Sequence, residues 1–163
     1  MKAKAFVSAP ELTFEIALRI RHPSIDPAEL TAALGIEPTQ CFRKGDIRDA
    51  RSSGKSGSTY TESYWFGAIN PAIWPLEFHI PEFSEFAQRN ASLWNPGMAL
   101  SVTARRLARN HAALLDRVRT EGGQVSVLIA LSPPSIDSLS IAPDVSKALS
   151  DAGITLELEL LDS

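Results

Sequence analysis

Residues 12–20 alternate without a break. Leu12, Phe14, Ile16, Leu18 and Ile20 fall on one side, and Thr13, Glu15, Ala17 and Arg19 on the other. A repeat of two is that of a β-strand with one buried and one wetter face. Such a strand cannot stand alone, so the rest of the chain has to supply a layer that covers it. Apolar residues make up 44% of the chain and charged residues 21%, enough of the first to build that layer. At 163 residues the chain is expected to form a single domain spanning 1–163.

The segments that follow supply the covering elements. Asp26-Pro27-Ala28-Glu29-Leu30 writes a helix start, with Asp26 as cap and Pro27 at the first position, where its missing N–H costs nothing. Glu29 stands where it can reach back to the cap amide, and Ile25 and Leu30 are spaced as a hydrophobic staple. Gly35 stops this helix, which runs over about Pro27–Leu34. Residues 60–69 return to strand character, with apolar groups on both faces. A long helix is predicted over 100–121 from the stripe Leu100, Ala104, Leu107, His111, Leu114, Leu115 and Val118, closed by Gly122-Gly123. A strand over Gln124–Leu131, a second short helix before Gly153 and an alternating strand over Ile154–Leu160 complete the series.

The expected fold is α+β: a mostly antiparallel sheet of about five strands, with one long and two short helices on one face. Ser24-Ile-Asp-Pro and Ser140-Ile-Ala-Pro each open a short helix that ends in Gly-Ile. Two strand–helix–strand halves would produce this grammar, and so would any pair of proline-started, glycine-stopped helices. Two stretches carry no regular period. Residues 47–59 read as a mobile basic loop, and residues 71–97 as an irregular aromatic excursion punctuated by Pro71, Pro75, Pro81 and Pro96. The excursion's aromatics are expected to pack inward, with a partner surface as the other reading.

Several functions are excluded or disfavoured at this level. Lysine and arginine total 16 against 19 acidic residues, a net charge of −3, so no global field attracts nucleic acid. The basic residues Arg43, Lys44, Arg48, Arg51 and Lys55 lie apart in sequence from the aromatics of 60–66 and 74–86, whereas strand-binding surfaces interleave the two. No nucleic-acid partner is expected. A single cysteine rules out an internal disulfide, and the absence of a long apolar run argues against a membrane span. With no secretory leader in the sequence, a cytoplasmic address is the default expectation.

Apparent sites weaken on inspection. Gly54-Lys55-Ser56 suggests a phosphate loop, but Asp49 stands where that motif needs its first glycine. His22, His79 and His111 are scattered, so neither a metal nor a cofactor is implied. Cys41 lies beside the cations Arg43 and Lys44, which would favour a thiolate, yet a lone small thiol is more commonly buried and inert. No catalytic constellation is legible, and the expectation is a protein that is not an enzyme.

The runs Asp26-Pro27-Ala28-Glu29-Leu30-Thr31, Leu34-Gly35-Ile36-Glu37-Pro38-Thr39 and Lys44-Gly45-Asp46, followed by Trp65 on the next strand, resemble a bacterial family defined as domain of unknown function 4279. The resemblance is good over residues 12–65 and looser beyond. The family has no established activity, so no catalytic residue is implied. The setting of some relatives near toxin–immunity loci implies an inhibitory binding partner. Two functions are therefore expected in turn. One is a cytoplasmic protein-binding module of immunity type. The other is a small-molecule or anion-binding domain that uses Arg43, Lys44, Asp46 and Trp65 around a polar groove. The alternating strand 154–160 reads as a sheet edge through which a homodimer could form.

Overall fold

The structure, a computed structural model, describes residues 14–48, 58–69, 96–131 and 139–160. The start of the first strand at Leu12, the body of the basic loop with Arg51 and Lys55, and the aromatic excursion up to residue 95 lie outside the described residues.

Among the described residues, five strands form one sheet: β1 (Phe14–His22), β2 (Gln40–Phe42), β3 (Ser63–Ile69), β4 (Gln124–Leu131) and β5 (Ile154–Leu160). Their order is β2-β3-β1-β4-β5. The alternating segment thus becomes the central strand. It pairs antiparallel with β3 on one side and with β4 on the other. Opposite Ile16 lie Ile69 and Ile129, and opposite Ile20 lie Trp65 and Val125. Each apolar side chain of β1 therefore has apolar neighbours on the same face.

Among the described residues, four helices cover that face: α1 (Pro27–Leu34), α2 (Pro96–Asn110), α3 (Ala112–Thr120) and α4 (Pro143–Asp151). Leu30, Leu34, Leu100, Leu107, Leu115, Val118, Val145 and Leu149 join Phe14, Ile16, Leu18, Ile20, Val127 and Ile129 in one core cluster. Each such aliphatic side chain contributes about 1.5–3 kcal/mol on burial. Among the described residues no helix is long and apolar enough to cross a membrane.

Three expectations are corrected. The sheet is mixed rather than mostly antiparallel, because β4 and β5 run parallel from Val125↔Ile154 to Leu131↔Leu160. A parallel pair needs a crossover, which α4 provides. The single long helix is two helices that meet at His111, whose backbone leaves helical geometry at φ −123° and ψ 15°. Asn110 and His111 are both weak helix formers, and the carbonyls of Leu107 and His111 still accept amides across the joint. Third, α2 begins at Pro96, so residues 96–97 belong to a helix and not to the excursion.

The two strand–helix–strand units differ in one respect. β1 and β2 run parallel with β3 between them, whereas β4 and β5 are immediate neighbours. The first four strands thus have the split βαβ arrangement, and α4 with β5 extends it by one strand. β5 forms one edge of the sheet. Its apolar row runs past the helical layer, leaving Leu158 57% and Leu160 72% exposed.

The α1 start follows the sequence signals in part. Asp26 accepts the Ala28 amide at 2.9 Å, and Gly35 closes the helix at φ 64°. Glu29 does not turn back to the cap. It pairs with the Arg117 guanidinium on α3, a charge-assisted bond that outcompetes an exposed amide. Missed in the sequence is His22, buried at the end of β1. Its Nδ1 accepts the amides of Ser24 at 3.0 Å and Ile25 at 2.8 Å, and so fixes the turn into α1.

Arg117 holds the Glu29 carboxyl below the ordinary carboxylate range, and Arg105 does the same for Asp144. A depressed value means that the contribution of each pair is present above the ordinary range and is lost as pH falls through the lowered values. Both pairs are exposed, so the effect is expected to be modest and to shrink in high salt, as read by thermal melts across an acid series. A larger effect is expected at Gly67. A Cβ there would lie 2.5 Å from the Trp65 ring and 3.1 Å from Ile36 Cγ2. Gly67→Ala is expected to cost about 1–3 kcal/mol in urea denaturation, because the buried indole has nowhere to move.

Candidate functional site

The turn that follows β2 is built from its own polar atoms. The Asp46 carboxylate accepts the Arg43 amide at 2.7 Å, and the Asp46 amide donates to the Arg43 carbonyl at 3.1 Å. Gly45 takes φ 91°, a region open to glycine, and its amide donates to the Tyr60 carbonyl at 2.8 Å. The Lys44 amide donates to Ser63 Oγ at 3.1 Å. The Lys44-Gly45-Asp46 motif is therefore a locked turn that ties β2 to the start of β3. The Lys44 side chain is exposed.

Across from this turn stands the N-terminus of α1. The Arg43 guanidinium reaches Asp26 at 2.8 Å and bridges the two elements. Between them lies a groove of about 340 Å³, lined by residues that include Asp26, Thr31, Glu37, Cys41, Arg43 and Asp46, with Pro27, Pro38 and Phe42 as apolar walls. Three carboxylates face one guanidinium. Asp26 and Asp46 already accept backbone amides, while Glu37 is exposed.

Trp65 does not line this groove. It is fully buried on the helix side of β3, and its indole N–H donates to Thr31 Oγ1 at 3.0 Å. The Thr31 hydroxyl donates in turn to the Pro27 carbonyl at 3.1 Å. Trp65 thus acts beneath the groove, by fixing the threonine that forms part of its floor. Arg43 and Asp46 line the groove, and Lys44 stands on the turn beside it.

Cys41 is the second correction at this site. It is exposed, where a buried inert thiol was expected. It sits on β2, the short strand at the other edge of the sheet, opposite Trp65 in register. An edge strand is covered on one flank only, so a side chain pointing toward the helices can still meet solvent. Asp26, Pro27, Thr31, Glu37 and Pro38 were not picked out as site residues from the sequence. All five lie inside the motif runs at 26–31 and 34–39, and only the fold shows that those runs face each other. Among the described residues no three metal-ligating groups come together.

These elements fall in one segment that matches a described family. Residues 11–71 match the family described as Domain of unknown function (DUF4279), as the motif runs indicated. That segment contains β1, α1, β2 and β3 and every residue lining the groove. No curated protein and no solved structure matches the chain.

The Thr31–Trp65 bond provides a direct test of how the floor is held. Thr31→Val keeps the shape and leaves the buried indole N–H without its acceptor. It is expected to lower stability by about 1–3 kcal/mol, while Thr31→Ser retains most of it, measured as urea midpoints of the two variants.

Proposed function

We propose, from the premise that residues 11–71 belong to the DUF4279 family, that this chain is a non-enzymatic binding module. Its contact site is the groove between α1 and the β2 turn, and its occupant is a basic segment of a partner protein. The observation that carries this reading is the charge of the walls. Asp26, Glu37 and Asp46 outnumber Arg43, and Arg43 is spent on Asp26. Such walls favour a lysine or arginine side chain and repel an anion. The apolar walls Pro27, Pro38 and Phe42 would cover the aliphatic stem of that side chain. An immunity-type role fits this reading, in which a mildly acidic protein caps a basic surface of its target.

A small ligand with a cationic head is the second reading. It is supported by the groove volume, about 340 Å³, which falls within the roughly 300–1,000 Å³ of small-molecule sites.

Cys41 makes both readings testable, since it lines the groove and is the only thiol in the sequence. A benzophenone attached there is expected to cross-link one defined protein in lysate. Glu37→Arg is expected to abolish that adduct. The same probe moved to α4, as Lys147→Cys in a Cys41→Ser background, is expected to give none. An identical adduct from both positions, or one that survives Glu37→Arg, removes the protein-binding reading. Protection of the thiol by a protein-free small-molecule extract, with no adduct, supports the second reading instead.

A further inference from the structure

The sheet face opposite the helices brings together residues that the sequence keeps apart. Register places Arg19 of β1 opposite Phe66 of β3, and Phe66 opposite Gln40 of β2. It places Arg21 opposite Tyr64, and Tyr64 opposite Phe42. Partners in register share a face, with Cβ atoms about 5 Å apart. Two rows therefore cross the face turned away from the described helices, Gln40–Phe66–Arg19 and Phe42–Tyr64–Arg21.

The second row is extended outward by Tyr60. Its ring stacks on Phe42 at 3.6 Å, and Phe42 stacks on Tyr64 at 5.0 Å, with interplanar angles of 15° and 12°. The Arg48 guanidinium lies 4.9 Å from the Tyr60 ring centre. On the other flank both rows reach β4, where Ser126 pairs with Arg19 and Gln124 with Arg21. These four residues and Glu157 line a polar recess of about 60 Å³. Arg19 is ion-paired with Glu157, and Arg21 is the exposed cation of the rows. Phe42, Tyr60, Tyr64 and Phe66 are all half-buried.

Cations and aromatics that lie apart in the sequence are interleaved on this face. Flat rings beside guanidinium groups are the surface on which bases stack while phosphates are neutralised. The strand order β2-β3-β1-β4, with the helices on the far side, is also the frame in which four-stranded RNA-binding sheets carry ring side chains on central strands.

We infer that this face binds a single strand of nucleic acid, with bases against Phe66 and Tyr64 and a phosphate at Arg21, while Arg19 stays held by Glu157. A strand is favoured over a free nucleotide by shape. The rows span four strands, roughly 14 Å at 4.8 Å per strand, while the recess is too small to enclose a nucleotide. Phe42 also lines the α1–β2 groove, whereas Phe66, Tyr64 and Arg21 do not, so variants at Phe66 and Arg21 test this site separately from the protein-binding reading.

The test is fluorescence anisotropy of a fluorescein-labelled oligouridylate titrated with the full chain at low salt. Saturable binding is expected, with log K falling against log salt at a slope of about −0.7 for one phosphate. Phe66→Ala and Arg21→Glu are each expected to weaken binding about tenfold or more. Lys147→Glu on the helical side and Cys41→Ser in the groove are expected to leave it unchanged. Absence of saturable binding overturns the inference, as does binding indifferent to both Phe66→Ala and Arg21→Glu. Displacement by uridine monophosphate as effective as by unlabelled strand also overturns it, and points to a free-nucleotide site. Should Phe66→Ala fail to fold, Arg21→Glu decides alone, because that position is exposed on its strand.

Discussion

The central position of β1 governs the rest of the molecule. Its apolar face is buried against helices, and both its edges are hydrogen-bonded, so its register is pinned from three sides. A slip of one residue would drive Arg19 and Arg21 into the core and expel Leu18 and Ile20. The cost of burying two guanidinium groups without partners is several kcal/mol each, far beyond what a shifted ladder could recover. That single register fixes which residues of β3 and β4 lie opposite, and through β3 it fixes β2 as well.

Each face of the sheet therefore has its own character. On the helix side, the β2 turn and the α1 cap are set opposite one another because α1 leaves from the end of β1 and β2 returns two strands away. The Asp26 and Asp46 carboxylates accept local backbone amides, which leaves fewer rotamers to order on binding. On the other side, cross-strand register alone assembles the aromatic and basic rows. Neither arrangement needs a metal or a disulfide, and the chain's one cysteine is left in the open.

Much of this was legible in the sequence because it is written locally. The period of two in β1, the Asp26-Pro27 start and the Gly35 stop each act over a few residues, and each reappears in the structure. What could not be read depends on pairs far apart in the chain. Glu29 has a satisfactory local partner in its own cap, and only the packing of α3 brings Arg117 within reach. The parallel pairing of β5 depends on where α4 delivers the chain, which hydrophobic periodicity does not encode. Trp65 looks like a groove residue by its place in the motif, yet strand alternation with the half-buried Tyr64 and Phe66 turns it into the core. The site residues Asp26, Glu37 and Cys41 were visible one by one, and their convergence was not.

The close approach of the Trp65 ring to Gly67 has a consequence for how such a chain can diverge. The indole lies across the space that a side chain two residues on would occupy, and Ile36 closes the far side. The two positions are thus mutually exclusive claimants to one volume. A descendant could exchange the large ring for something smaller and fill the gap from position 67, whereas enlarging 67 first meets the ring at 2.5 Å. Among relatives that share this frame, tryptophan at the first position and glycine at the second should travel together.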